Sequence, residues 1–151
     1  RSKEAYDGAR PSGNSVAALM LSRLSLLTGE GHWRKAANLQ LSWLAGAVQD
    51  YPAGYSFAML AFLEELWPSA ELVVTAREVP AELKVFLREA SRPELVILVK
   101  TPESADILDR LAPFTSSYPI PERGTRYYLC QGQACALPVD NIETLKTRLP
   151  L

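Results

Sequence analysis

Histidine, cysteine and long apolar runs are scarce in this sequence, and each shortage closes off a class of function. One His and two Cys occur in 151 residues, so a structural zinc site, which takes four ligands, is not expected within the chain. Two cysteines are also too few for a disulfide framework, and a reducing cytosol is the expected compartment. The longest apolar run, Phe57 to Leu63, is followed at once by Glu64 and Glu65; it is far short of the roughly 20 residues that span a bilayer, so no membrane association is expected. Charge of one sign is missing too. Lys plus Arg number 16 against 17 Asp plus Glu, for a net charge of −1. With no basic stripe, nucleic acid is not an expected partner. The sequence holds no phosphate loop, dinucleotide fingerprint, HExxH helix or nucleophile elbow. No metal or cofactor is expected. The opening Arg1-Ser2-Lys3-Glu4 has neither a Met nor the apolar stretch of a signal peptide. It reads as a piece cut from a longer chain.

What is present reads as a globular protein: 48% hydrophobic and 22% charged residues allow a packed core. Residues 1–13 are polar and rich in turn formers. Ser12-Gly13-Asn14-Ser15 is a helix start, because short polar side chains accept from the free amides of a first turn. Val16, Leu19, Met20, Leu24 and Leu27 follow at helical spacing, and Gly29 is the natural end. A second helix is expected from Trp33 to Gln49, with Leu39 and Trp43 widening its apolar face. A third, from Pro52 to Leu66, is apolar nearly all round and demands cover on several sides.

After Pro68 the pattern changes. Glu71 to Thr75 reads as a strand, Pro80 to Ala90 as a helix, and Leu95 to Val99 as a strand covered on both faces. Pro102 to Leu111 reads as a helix, residues 113–124 as a loop, and Thr125 to Cys130 as a third strand. Asp140, with Glu143 three residues on, reads as the capping box of a last helix. The expected fold class is α/β. A helical block over 1–68 packs on a small, mostly parallel three-stranded sheet in β-α-β-α-β-α order over 69–151.

Three places have chemistry to offer. Cys130 and Cys135 bracket a Gly-containing turn that could bring two sulfurs within bonding reach. Their C-x4-C spacing is not the C-x-x-C of oxidoreductases, and no Lys, Arg or His lies between them to favour a thiolate. A structural pair and a redox pair both stand. The stretch from Asp7 to Ser15 sets a carboxylate, a guanidinium and several small polar groups ahead of a helix N-terminus. Asp7, Arg10, Ser12 and Asn14 read either as the polar wall of a ligand cavity or as a well-capped connection. His32 reads as an exposed loop residue rather than a base or ligand.

The segment Glu4-Ala5-Tyr6-Asp7-Gly8-Ala9-Arg10-Pro11-Ser12-Gly13-Asn14-Ser15 resembles a signature of the YyaL-type family, also called spermatogenesis-associated thioredoxin-domain-containing proteins. The tail from Tyr128 through Cys130 and Cys135 to Pro138 and Asp140 resembles the end of the same family. The resemblance implies three parts in series: a thioredoxin-like domain, an α/α toroid similar to six-hairpin glycosidases, and a short α/β end. This chain would then carry the last toroid helices and that end, with no complete active site of its own. Asp7, Arg10, Ser12 and Asn14 would lie at the toroid mouth, where related folds bind sugars. The implied partners are the rest of the longer chain and a sugar-like ligand. Thiol redox work by Cys130 and Cys135 is a second expectation. A non-catalytic module that self-associates through apolar helices is a third.

Overall fold

The computed structural model describes residues 4–67, 69–89, 95–131 and 134–149. The chain forms two compact units, Arg1–Trp67 and Pro68–Leu151. The first is helical: α1 (Gly13–Thr28), α2 (Gly31–Val48) and α3 (Ser56–Leu66). Ser12 caps α1, its hydroxyl accepting from Ser15 N at 3.1 Å. Gly29 closes α1 at φ 70°, a left-handed conformation open to glycine at little cost. Only Gly29 and Glu30 separate α1 from α2, so the two helices fold back on each other.

Apart from Leu19, the buried face of α1 is built from small residues: Ser15, Ala18, Ser22 and Ser25, at helical spacing. Opposite them α3 offers Ala58 and Ala61, both fully buried. Small side chains let backbones approach closely, and the larger Leu41, Leu44 and Val48 of α2 complete this core. The buried hydroxyls are satisfied. Ser15 pairs with Ser12 at 2.8 Å, Ser22 donates to Glu65 at 2.8 Å, and Ser25 donates to the Ser22 carbonyl at 2.7 Å. Glu64 and Glu65 also bind Arg23 and Arg34, the first at 3.0 Å and the second through Glu65 Oε2 at 2.7 Å. The third expected helix is divided: Pro52–Tyr55 is a 3-10 turn and the α-helix begins at Ser56. The apolar cover it demands is incomplete here. Leu60, Leu63, Leu66 and Trp67 are 49%, 51%, 82% and 56% exposed, and on α2 Leu39 and Trp43 also face out.

The second unit holds a four-stranded sheet in the order β2-β1-β3-β4. Its strands are β1 (Ala70–Ala76), β2 (Leu95–Lys100), β3 (Thr125–Gln131) and β4 (Ala134–Cys135). Its helices are α4 (Ala81–Glu89), α5 (Ala105–Leu111) and α6 (Ile142–Arg148). One face carries Ala70, Leu72, Val74, Leu95, Tyr127 and Leu129, packed with Leu83 and Phe86 of α4 and Ile142 and Leu145 of α6. Register puts Glu71, Val73, Thr75, Lys100, Tyr128 and Cys130 on the other face.

The expected mostly parallel, three-stranded sheet is corrected. Only β1 and β2 are parallel; β3 runs antiparallel to β1, and β4 antiparallel to β3. The reason lies in the chain after β2. A parallel third strand needs a crossover that climbs back along the sheet. The seven residues of α5 rise only about 10 Å, half the length of β2. A 3-10 turn at Pro113–Ser117 follows. Lys100, at the end of β2, reaches this segment, donating to Asp109 at 2.7 Å and to the Thr115 carbonyl at 2.9 Å. The chain thus stays at the carboxyl end of β1 and re-enters beside it, Thr125 opposite Ala76. Two helix starts also differ. Helix α5 starts at Ala105 because Ser104 accepts from Thr101 N at 2.9 Å and holds the preceding turn. Asn141, not Asp140, caps α6, accepting from Thr144 N at 2.8 Å, and Glu143 pairs with Lys146 instead. The end of the fourth expected helix at Ala90, and Gly132 between the cysteines, lie outside the described residues.

Candidate functional site

Asp7 sits between two helix starts. Its Oδ1 accepts from Ser12 N at 2.8 Å, and its Oδ2 accepts from Phe57 N and Ala58 N, both at 2.9 Å. Those last two are first-turn amides of α3, whose own N-cap residue, Tyr55, supplies no side-chain bond. Asp7 therefore caps α3 from 50 positions away, and it caps with a charge, which suits a helix N-terminus. Its backbone N–H donates to the Gly54 carbonyl at 2.9 Å. Burial raises the carboxyl pKa, but the bonds from Ser12, Ala58, Ser15 and Phe57 together outweigh it and leave the pKa below its ordinary value. Gly54 leaves room for two rings: a Cβ there would meet the Tyr51 ring at 2.6 Å and the Tyr6 ring at 2.7 Å, and one or both would have to shift. Tyr6 in turn meets Tyr55 edge-on at 5.9 Å.

Asn14 is also engaged inside the protein. It donates to the Glu4 carbonyl at 2.6 Å and accepts from Gln40 at 3.0 Å. The four candidate residues thus divide. Asp7, Asn14 and the hydroxyl of the buried Ser12 turn inward and hold the loop, while the exposed Arg10 borders a cleft of about 480 Å³. Glu4, Tyr6 and the other residues from Gly8 to Gly13 complete its lining. The sequence pointed to the stretch but not to Tyr6, whose position on the cleft depends on the close approach over Gly54.

Cys130 and Cys135 are joined as a disulfide, directly opposite across β3 and β4 with Cα atoms 3.9 Å apart. Ala136 N donates to the Leu129 carbonyl at 2.9 Å, so the cysteines occupy the next pair along, the type in which side chains lie closest. Tyr118 reaches both sulfurs, at 3.6 Å from Cys130 and 3.5 Å from Cys135. Nothing in residue spacing announced that contact; Tyr118 lies in the stretch expected to be plain loop. His32 is exposed beside Trp33 and pairs with Glu30 at 2.9 Å. Among the described residues no cluster of three or more His, Cys, Asp or Glu side chains could hold a metal. No helix among them is long and apolar enough to cross a membrane.

No family model matches the chain, and no solved structure matches it. Among curated proteins it is similar to spermatogenesis-associated protein 20 of Homo sapiens, at 25% identity over 142 residues, which cover 92% of this chain and 18% of that protein. The protein of the same name from Rattus norvegicus is 26% identical over the same lengths. These homologues agree with the family resemblance read from the two end segments. The chain thus spans about a fifth of the length of the relatives it matches.

Proposed function

We propose that this chain supplies one wall of a cleft for a sugar-type ligand within a larger, cytoplasmic protein. The observation that carries this reading is the division of labour in the Asp7–Ser15 stretch. Asp7, Ser12 and Asn14 fix the loop, so that Arg10 and Tyr6 are presented on a cleft of about 480 Å³. That volume falls in the range of small-molecule sites. An exposed Tyr ring suits the apolar face of a sugar, and a guanidinium suits its oxygens. Binding rather than bond cleavage is the role assigned to this chain. Glycoside hydrolysis generally uses two carboxyl groups, and among the described residues Glu4 is the one carboxylate on the cleft lining. The toroid and the thioredoxin-like domain of the family resemblance remain part of this reading, as does the rest of the longer protein as the cover for Leu60, Leu63, Leu66 and Trp67. The test is a panel of monosaccharides, polyols and sugar acids, followed by NMR shifts and melting temperature, with Arg10→Ala beside the unaltered chain. Shifts at Tyr6 and Ser12 that vanish in the variant support the reading, and silence across the panel refutes it.

A second reading is thiol redox work by Cys130 and Cys135. It is favoured by the bond between them, since a disulfide in a reducing compartment is typically transient and catalytic or redox-sensing.

A further inference from the structure

Glu71, Tyr128, Cys130 and Cys135 share one face of the sheet. Tyr118 lies against them, half-buried, its ring 4.6 Å from that of Tyr128 and edge-on to Phe114 at 6.5 Å. Its place is fixed from below. Tyr118 N donates to the Thr115 carbonyl at 3.1 Å, and the buried Lys100 ammonium holds the same carbonyl at 2.9 Å. A disulfide has no proton to give, so in the contacts at 3.5 and 3.6 Å the phenol is the donor. Burial, then the charge of Glu71 and the neighbouring Tyr128, keep its pKa above the ordinary value, so the proton stays on. The two sulfurs differ in access: Cys135 is exposed, whereas Cys130 is 7% exposed.

We propose that Cys130–Cys135 is a thiol–disulfide exchange site in which the outer sulfur, Cys135 Sγ, is attacked, the inner sulfur, Cys130 Sγ, leaves, and the Tyr118 hydroxyl stabilises the departing thiolate. This rests on the redox reading and assigns its parts. The co-reactant is a dithiol. One of its thiolates attacks Cys135 Sγ, a mixed disulfide forms, and the Cys130–Cys135 bond breaks with its electron pair passing to Cys130 Sγ. The Tyr118 O–H, already within reach, hydrogen-bonds to that new charge. The second thiolate of the dithiol then attacks its own sulfur in the mixed disulfide and releases Cys135. Two electrons pass from the dithiol to the pair. The two protons lost by the dithiol are matched by two taken up from water at Cys130 and Cys135. A leaving thiolate that accepts a hydrogen bond leaves faster, because the leaving group's stability governs the exchange rate.

The test uses the intact folded chain and two measurements. Reduction by dithiothreitol is followed by alkylation and mass, comparing the unaltered chain with Tyr118→Phe, which keeps the ring contacts and removes the hydroxyl. A glutathione adduct formed under limiting reagent is located by peptide mass. The expected results are an adduct on Cys135 and reduction slowed about ten- to hundredfold in Tyr118→Phe, the factor of one hydrogen bond to a charged group. An adduct on Cys130, or a variant reduced as fast as the unaltered chain, overturns this assignment and leaves the redox reading standing. A bond that withstands millimolar dithiothreitol while the chain stays folded removes both.

Discussion

Replacing Asp7 by Ala should unfasten α3 from the loop that precedes α1. The carboxylate accepts three backbone N–H bonds, from Ser12, Phe57 and Ala58, at 2.8, 2.9 and 2.9 Å. A hydrogen bond to a charged group is worth about 1.5–3 kcal/mol, and an orphaned buried amide costs about 1–3 kcal/mol. The three share one side chain and are not independent, so the losses do not add in full. A destabilisation of about 3 kcal/mol is expected, with Asp7→Asn losing about half of that because one oxygen still accepts. The three tryptophans, Trp33, Trp43 and Trp67, all lie in the first unit, so urea unfolding followed by tryptophan fluorescence reports on the right part of the chain. The pH dependence has a definite sign. The folded pKa of Asp7 lies below its ordinary 3.8, so its contribution is complete above that value and is lost as pH falls through the folded pKa. The gap between the unaltered chain and Asp7→Asn should therefore hold steady above pH 5 and close in acid. A loss under about 0.5 kcal/mol in Asp7→Ala, the level of an ordinary surface change, would refute the cap.

Gly54→Ala should cost about 1–3 kcal/mol by forcing the Tyr51 and Tyr6 rings off a Cβ that has no room; it should also disturb Tyr6 resonances, and an unchanged spectrum would count against the packing. Thr75→Val should raise the melting temperature, since the Thr75 hydroxyl is fully buried with no hydrogen-bond partner among the described residues; a gain of about 1 kcal/mol is expected in calorimetry. Leu63→Glu together with Leu66→Glu should suppress concentration-dependent light scattering, because both side chains are about half or more exposed on one apolar helix. A clean monomer before substitution would dispose of that expectation.

What was readable in the sequence is what local chemistry decides. Ser12 and Gly29 marked the ends of α1 because a cap hydroxyl and a left-handed glycine act within a few residues of themselves. The unbroken run from Leu95 announced β2, and the stretch from Thr125 to Cys130 announced β3. Strand direction was hidden because it is set by how far the connection travels, and Pro102 to Leu111 looked long enough for a crossover until Ser104 ended its first turn as something other than α-helix. The address of Asp7 was hidden too. Residue type suggested a cap or a cavity wall, but the first amide it caps lies 50 residues later, and no pattern of spacing joins two such segments.

The same logic connects the two candidate sites. In each, a buried polar group holds a loop from below so that another side chain is free above: Asp7 under Arg10 and Tyr6, Lys100 under Tyr118. Lys100 makes its bonds to Asp109 and to the Thr115 carbonyl while it is nearly inaccessible. The pair draws the Asp109 pKa down, through Lys100 first and the Thr115 hydroxyl second. Lys100→Met should therefore release the 3-10 turn that ends at Tyr118 rather than merely lighten the core. If Tyr118 is placed by this network, the variant should show slowed reduction of Cys130–Cys135 along with a lowered melting temperature, and Tyr118→Phe should show the first without the second. Equal loss of stability in both variants would mean that the ring, not the hydroxyl, is what the fold requires at that position, and the placement of the phenol over the sulfurs would then be a consequence of packing alone.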